Sequence, residues 1–303
     1  MPRQVPFCIV DVFAQERYQG NQLCVFADAH ELTGAEMLTL AREINFAETT
    51  FITGGSVETG FDVRIFTPEY EVPFAGHPTL GTAYVIATYL LRELPPIIPL
   101  NLSVGSIPTR LSDGVCWLEA TQPAFGPTFR HDSLPSLLGL TNEDLAQNQP
   151  IEWVSTGLPY LIIPVRSLRA MRSIRVDANA CRDWLLARKL HKTNSVDGLT
   201  TAFYLFCSET YSVDNQLNAR MLCLENDSIV EDAATGSASS CLLAYLLKHQ
   251  ALHSTSLRLR LEQGYEIKRP SLIELDGFLR AGNEYSLSVG GQVQFVARGE
   301  WTI

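Results

Sequence analysis

The sequence has no run of positive charge. Its 303 residues include 23 lysines and arginines against 33 aspartates and glutamates, which gives a net charge of −10 at pH 7. Binding to phosphate groups needs a concentrated positive field, so this balance disfavours nucleic acid and anionic membrane surfaces as partners. Hydrophobic residues make up 46% and charged residues 18% of the chain. That composition is typical of a globular protein and too apolar for a disordered one.

Paired cysteines and cofactor motifs are also missing. The seven cysteines are odd in number and scattered, and no two form a Cys-x-x-Cys pair. This argues against both a disulfide framework and a structural zinc site. The sequence has no phosphate-binding glycine loop, no dinucleotide fingerprint and no His-Glu-x-x-His pair. We therefore expect a cytoplasmic protein with reduced thiols that uses no cofactor and no metal ion.

A secretion signal and a membrane span are not predicted either. The first residues lead straight into a strand-like run, Phe7–Val12, without the features of a signal peptide. Two stretches, Phe74–Leu91 and Ala233–Leu247, have no Asp, Glu, Lys or Arg. Each begins with small or polar residues, which leaves about a dozen helical residues where a membrane span needs about 20. We expect both to be buried helices.

The chain divides into two similar halves in this interpretation. Thr121–Pro127 is the best candidate for a linker, because prolines do not continue the interior of a sheet. A small residue, a glycine and a polar residue precede the apolar helix of each half, at Ala75–Thr79 and at Thr235–Ser239. A helix that is apolar on all sides must be enclosed by other structure. This predicts two domains that each wrap strands around a central helix. The alternative is a chance similarity between the two segments, because small residues are common at helix starts.

Local signals predict individual elements. Thr33 and Glu36 have the spacing of a capping box, which predicts a helix that begins after Thr33. Gly290 and Gly291 lie between two strand-like runs near the C-terminus. A glycine pair in that position is typical of a hairpin turn, so we expect the chain to reverse there.

The two helix starts suggest where chemistry could occur. A helix N-terminus attracts anions, and Gly76 and Gly236 would let a ligand approach the backbone closely. Three groups able to transfer protons lie near these starts or within an apolar segment: His77, Asp232 and Glu48. Each also has a structural interpretation, as a hydrogen-bonded histidine, a helix cap and the partner of a surface arginine respectively.

Several motifs together resemble one known family. They run in order along most of the chain: Tyr18–Gln22, Asn45–Phe51, Arg64–Pro68, Glu71–Ala83 and Glu231–Ala238, followed by Gln263-Gly264 and Arg269-Pro270-Ser271. The Gly-His-Pro-Thr and Ala-Thr-Gly-Ser segments within them are specific in combination. The sequence resembles the PhzF-like family, whose namesake is an isomerase of phenazine biosynthesis.

The resemblance implies an α+β, diaminopimelate epimerase-like fold. Two pseudo-symmetric domains would each have a curved, mostly antiparallel sheet around a central helix, with the active site in the cleft between them. We expect residues 1–122, completed by 290–303, to form one domain and residues 123–289 the other. By the same analogy the protein would be a homodimer.

The resemblance also implies a mechanism without a cofactor. A glutamate would take a proton from one carbon of a small carboxylate substrate and return it to another. The catalytic residues by motif are Glu48, His77 and Asp232. The residues expected to bind the substrate are Asn21, Gly76, Gly236 and Ser237.

Some positions depart from the family and its relatives. Gln22 and Ala233 replace prolines of the PhzF-like motifs. Related epimerases and racemases use a cysteine at each helix start, where this chain has Ala75 and Thr235. The thiolate is the reactive species in such enzymes, and neither position carries a thiol. Proton transfer by thiols is therefore disfavoured. Two alternatives stay open: a protein that binds a small molecule without turnover, and a racemase or epimerase of small amino acids.

Overall fold

The computed structural model describes residues 3–129 and 134–303, and two compact units divide them. The first unit is Met1–Glu119 with Gly290–Ile303, and the second is Ala120–Val289. The predicted domains, 1–122 with 290–303 and 123–289, include residues 1, 2 and 130–133, which lie outside the described residues. Among the described residues, no helix has both the length and the apolar character needed to cross a membrane.

The first unit contains eight complete strands and two α-helices among its described residues. In chain order these are β1 (Gln4–Val12), β2 (Asn21–Phe26), α1 (Gly34–Ile44), β3 (Glu48–Ser56), β4 (Gly60–Phe66), β5 (Glu71–Val72), α2 (Gly76–Val85), β6 (Ile98–Leu102), β7 (Gly105–Ser112) and β8 (Val115–Glu119). A π-helix, Ile86–Leu90, extends α2. Residues 290–302 of the last strand of the chain also belong to this unit.

The second unit repeats this order with additional short helices. Its elements are β9 (Ala124–Phe129), α3 (Leu134–Leu137), β10 (Ile151–Ser155), β11 (Pro159–Pro164), α4 (Leu168–Ser173), α5 (Ala178–Ala187), β12 (Ala202–Cys207), β13 (Leu217–Glu225), β14 (Ser228–Asp232), α6 (Gly236–Lys248), β15 (Ser256–Gln263), β16 (Ser271–Arg280) and residues 284–289 of β17 (Glu284–Thr302).

Strand pairing in the first unit closes on itself around α2. β17 pairs antiparallel with β1, and β1 with β2. β2 then pairs parallel with β3, β3 antiparallel with β4, and β4 parallel with β6. β6, β7 and β8 follow as antiparallel neighbours, and β8 returns to β17. α2 contacts β1, β2, β3, β6, β7 and β8, so the apolar helix is enclosed, as its composition predicts.

The second unit has the same succession of strand directions. β9, β10 and β11 are antiparallel neighbours, β11 and β12 are parallel, and β12 and β13 are antiparallel. β13 pairs parallel with β15, which pairs antiparallel with β16. α6 contacts β10, β11, β15 and β16 and is buried along almost all of its length. The predicted pseudo-symmetry, with a mostly antiparallel sheet around one apolar helix in each half, is confirmed.

An outer layer covers part of the first unit. α1 begins after the N-cap Thr33, and the reciprocal bonds between Thr33 and Glu36 form the predicted capping box. Asn45 ends the helix in the left-handed conformation. Met37 and Leu40 of α1 pack in one apolar cluster with phenylalanines of β2, β3 and β4.

The predicted hairpin at Gly290-Gly291 is wrong. β17 runs through both glycines without reversing. A Cβ atom on Gly290 would lie 2.5 Å from the ring of Trp117, and one on Gly291 would lie 2.4 Å from the ring of Phe13. The two glycines are therefore required by the close approach of aromatic rings and not by a turn.

The predicted linker also contains a strand. β9 begins within Thr121–Pro127 and pairs with β10. Pro127 is tolerated because the register of this pairing shifts between Glu152 and Val154, opposite Gly126 and Pro127. Prolines occur in sheets at such irregularities, where no ladder hydrogen bond is lost.

Candidate active site

The candidate site of the first unit lies at the start of α2. Ala75 is the N-cap residue, and its side chain makes no capping hydrogen bond. Gly76 and His77 follow as the first helical residues, and His77 is 5% exposed. The side chain of Ala75 therefore accepts no hydrogen bond from the first backbone N–H groups of α2. A buried imidazole lies next to these groups.

Two strand starts bring side chains to this imidazole. Asn21 is the first residue of β2 and Glu48 the first of β3, and these strands are parallel neighbours. The Asn21 amide nitrogen lies 3.3 Å from Nδ1 of His77. Glu48 Oε2 lies 3.5 Å from His77 Nε2. The structure therefore brings together Asn21, Glu48 and His77, which the sequence analysis singled out separately.

His77 is a neutral imidazole in this setting. Its burial lowers the pKa from the ordinary value of 6.5 to about 3, and a hydrogen bond with the backbone of Gln22 acts in the opposite direction. Desolvation dominates because the charged imidazolium loses its hydration in the interior. Glu48 therefore faces an uncharged ring at neutral pH, while 20% of its own side chain remains exposed.

The candidate site of the second unit lies at the start of α6. Asp232 is the last residue of β14, Thr235 is the N-cap of α6, and Gly236 begins the helix. Thr235 Oγ1 donates to Asp232 Oδ2 at 2.5 Å. Asp232 and Ser237 are half-buried, and Gly236 is buried. A carboxylate, a helix start and a hydroxyl therefore lie within six consecutive residues.

Tyr160 is a polar partner that the sequence analysis missed. Its hydroxyl lies 2.7 Å from Ser237 Oγ. Burial raises the pKa of the Tyr160 phenol well above its usual range, so the hydroxyl stays protonated. Tyr160 is in the strand β11, far from Ser237 in sequence, and an apolar strand carries no local signal for such a contact.

Thiols are absent from both helix starts. Ala75 and Thr235 are the N-cap residues, where the related racemases would have cysteines. Cys241 is buried further along α6, and burial raises its pKa to about 12. This thiol is protonated at neutral pH and therefore a poor base or nucleophile.

The described residues contain no group of three or more His, Cys, Asp or Glu side chains that could hold a metal ion. His249, which is four residues from His253, is instead 2.7 Å from the buried carboxylate of Glu152. Lys248 Nζ donates a hydrogen bond to the other oxygen of the same carboxylate. Lys248 and His249 thus share the Glu152 carboxylate at the C-terminal end of α6, away from the helix start.

Comparisons with known proteins define the family. A family model described as phenazine biosynthesis-like protein matches residues 10–299. An uncharacterized isomerase from Pasteurella multocida is 34% identical over 302 residues, which cover 96% of this chain and 92% of the relative. The trans-2,3-dihydro-3-hydroxyanthranilate isomerase of Pseudomonas aeruginosa is 31% identical over 268 residues, which cover 88% of this chain and 87% of the relative. The chain belongs to the phenazine biosynthesis-like, or PhzF-like, family, and it is an isomerase.

Solved structures share the fold. A PhzF-family phenazine biosynthesis protein from Bacillus anthracis matches with a TM-score of 0.86 at 24% identity, over 99% of this chain and all of the other. A hydroxyproline epimerase from Agrobacterium vitis matches with a TM-score of 0.59 at 10% identity, over 99% of this chain and 93% of the other. The predicted diaminopimelate epimerase-like fold is confirmed.

Proposed function

We propose that this isomerase moves a proton between two carbons of a small unsaturated carboxylate, with the Glu48 side chain as the proton carrier. The observation that supports this most strongly is the pair formed by Glu48 and His77, whose Oε2 and Nε2 atoms lie 3.5 Å apart at the start of α2. The partly exposed carboxylate can meet a substrate, and the buried ring can orient it. The P. aeruginosa relative is named for such a substrate, trans-2,3-dihydro-3-hydroxyanthranilate.

The neutral state of His77 suits a carrier that must both accept and release a proton. A charged imidazolium would favour the ionised form of Glu48 and weaken it as a base. A neutral imidazole has one donor and one acceptor nitrogen, so it can bond either the carboxylate or the carboxylic acid of its partner. General catalysis of this kind requires a group that changes protonation state twice in each turnover.

The proton and electron balance closes without a co-reactant. The Glu48 carboxylate takes a proton from a substrate C–H bond whose electron pair enters the adjacent double-bond system. The double bond shifts, and the Glu48 carboxylic acid returns the proton to a second carbon of that system. Glu48 ends as a carboxylate, and the substrate is rearranged with no net oxidation or reduction.

We also propose that a helix start binds the substrate carboxylate. Gly76 and Gly236 begin α2 and α6, whose first backbone N–H groups favour an anion. Ser237 adds a hydroxyl next to Tyr160, Asn21 contacts His77, and Asp232 is the carboxylate before α6. Each helix start is a candidate binding site, and substitutions in each unit would test the two separately.

The experiment compares two glutamate substitutions with the same chemistry. Purified enzyme is incubated with trans-2,3-dihydro-3-hydroxyanthranilate, and loss of substrate is followed by proton NMR. We expect Glu48→Gln to lower kcat by a factor on the order of 100 to 10,000, the usual contribution of a general acid–base group. Glu43→Gln, on the exposed face of α1, should keep the wild-type rate. Equal rates in all three proteins would remove Glu48 from its role.

The homodimer and the cytoplasmic location also remain proposals. The chain mass is 33.6 kDa, so a homodimer would show twice that mass in sedimentation equilibrium. Sedimentation at the mass of a single chain across the working concentration range would contradict the dimer.

A further inference from the structure

The side chain of Gln263 is a completely buried amide at the end of β15. Its Oε1 atom accepts a hydrogen bond from the backbone N–H of Thr235 at 3.2 Å. Its Nε2 atom donates to the backbone carbonyl of Asp232 at 3.0 Å and to Thr235 Oγ1 at 2.9 Å. Because an N–H group faces the amide oxygen and a carbonyl faces the amide nitrogen, only one orientation of the amide satisfies these partners.

The hydrogen bonds continue from the amide to the Asp232 carboxylate before α6. Thr235 Oγ1 accepts from Gln263 Nε2 and donates its only proton to Asp232 Oδ2. The donor from Gln263 therefore fixes the direction in which the Thr235 hydroxyl points. A hydroxyl that donates to an ionised carboxylate is a strong, charge-assisted partner.

The surroundings of Gln263 hold it rigidly in this place. The Tyr204 hydroxyl lies 3.1 Å from Gln263 Oε1 and 2.7 Å from Ser239 Oγ, within the core of the second unit. Gly264 follows with a positive φ of 78°, and a Cβ atom there would lie 2.5 Å from the carbonyl oxygen of Ala233. The backbone after Gln263 thus packs directly on the turn that leads from β14 into α6.

We propose that Gln263 is a positioning residue that acts through Thr235 to set the orientation of the Asp232 carboxylate and the geometry of the α6 start. The inference rests on the proposed function, because it assigns these groups to the reaction of the same site. It adds a role for Gln263, which lies at the end of β15 and contacts the N-cap residue of α6 directly.

Substitutions at Gln263 and Thr235 separate the donor bonds from the size of the side chains. Gln263→Glu keeps the shape but removes the N–H donors to Asp232 and Thr235. Thr235→Val keeps the shape of threonine but removes its hydroxyl, and Thr235→Ser keeps the hydroxyl. With trans-2,3-dihydro-3-hydroxyanthranilate as the probe, we expect Thr235→Val to lower kcat/KM by about tenfold or more, the effect of losing a hydrogen bond to a charged group. We expect Gln263→Glu to lower it by a similar factor, because it removes two donors and adds a carboxyl group near Asp232. Thr235→Ser keeps the hydroxyl, so its kcat/KM should stay within about twofold of the wild-type value.

A double-substitution cycle tests whether Gln263 acts through Asp232. In an Asp232→Asn background, Gln263→Glu should change kcat/KM by less than about twofold, because the carboxylate that it positions is already gone. The control is Glu262→Gln. Glu262 is also buried, but its carboxylate accepts from the backbone of Tyr211 and Ser212 and from the Asn215 amide, in the loop before β13. This substitution should lower the unfolding temperature and leave kcat/KM unchanged.

The outcomes distinguish the two proposals. A Glu48→Gln variant that is as active as the wild type overturns the proposed function and the inference with it. An active wild type with unaffected Gln263→Glu and Thr235→Val variants overturns the inference alone. Independent, multiplicative effects of Gln263→Glu and Asp232→Asn also overturn it. If Gln263→Glu does not fold, the Thr235→Val and Thr235→Ser pair in the wild-type and Asp232→Asn backgrounds decides by the same criteria.

Discussion

Oε2 of Glu48 lies 3.5 Å from Nε2 of His77, and the two residues come from different elements of the first unit. Glu48 begins β3 and His77 lies in the first turn of α2. The pair forms because two parallel strands start at the same end of the sheet, beside the N-terminus of the enclosed helix. The geometry of the carboxylate therefore depends on the strand register and on the position of α2.

Burial of His77 predicts a pH dependence of stability. The pKa of His77 falls from 6.5 to about 3 on folding, so between these values the unfolded chain binds a proton that the folded chain does not. Stability from this group is fully present above pH 6.5 and falls as the pH drops toward 3, by up to about 1.4 kcal/mol per pH unit. We expect His77→Asn to reduce this slope in urea unfolding measured at several acidic pH values. His253→Asn, on an exposed residue, serves as the control. A slope unchanged by His77→Asn would contradict the assignment.

A buried ion pair should dominate the stability of the β13–β14 hairpin. Arg220 contacts both carboxylate oxygens of Glu231, at 3.0 and 2.7 Å, and also donates to the backbone carbonyl of Met171. Glu231→Gln leaves a buried guanidinium without its counter-charge and should cost about 3–5 kcal/mol of unfolding free energy. Glu284→Gln removes the partner of an exposed pair with Arg280 and should cost less than about 1 kcal/mol. Equal losses in chemical denaturation would show that burial does not set the strength of the Arg220–Glu231 pair.

Alkylation of thiols should leave the activity intact. Burial raises the pKa of both Cys223 and Cys241 to about 12, so neither is a thiolate at neutral pH. Iodoacetamide treatment of the native enzyme should therefore not reduce its isomerase activity. Rapid inactivation that substrate prevents would instead indicate a catalytic thiol and support the racemase alternative.

Gly20 should be required for the position of Asn21. Its φ is +69°, and a Cβ atom there would lie 2.3 Å from the carbonyl oxygen of Val12. Gly20→Ala therefore adds both backbone strain and a clash, and should cost more than about 1–2 kcal/mol of unfolding free energy and weaken turnover. Gly105→Ala is the matched control, because Gly105 also has a positive φ but nothing lies within 4 Å of its added Cβ atom. Equal losses of stability in both variants would show that backbone strain alone, and not the clash with Val12, destabilises Gly20→Ala.

The sequence predicts local features well and long-range contacts poorly. The capping box of Thr33 and Glu36 depends on residues three apart, and the structure confirms it. The enclosed helices are evident because an apolar helix without a polar face has no place at a surface. The predicted turn at Gly290 is wrong because this position needs a glycine for another reason, the close approach of the Trp117 ring from another strand.

The candidate site shows the same limit. The motifs indicate Glu48 and His77 separately, whereas their contact depends on the pairing of β2 with β3 and on the position of α2. Tyr160 lies in an apolar strand, and no sequence signal indicates that its hydroxyl contacts Ser237 Oγ in the folded protein. Such contacts join residues far apart in sequence, and only the topology determines them.

Deuterium incorporation from solvent into the proposed substrate tests the role of Glu48 most directly. Enzyme and trans-2,3-dihydro-3-hydroxyanthranilate are mixed in heavy water, and the label at each carbon is followed by NMR. We expect enzyme-dependent deuterium at the carbon that receives the proton with the wild-type enzyme and with Glu43→Gln, because the proton on the partly exposed Glu48 carboxyl group exchanges with heavy water before its return. We expect none above background with Glu48→Gln. Unchanged incorporation by a folded Glu48→Gln variant would contradict Glu48 as the proton carrier.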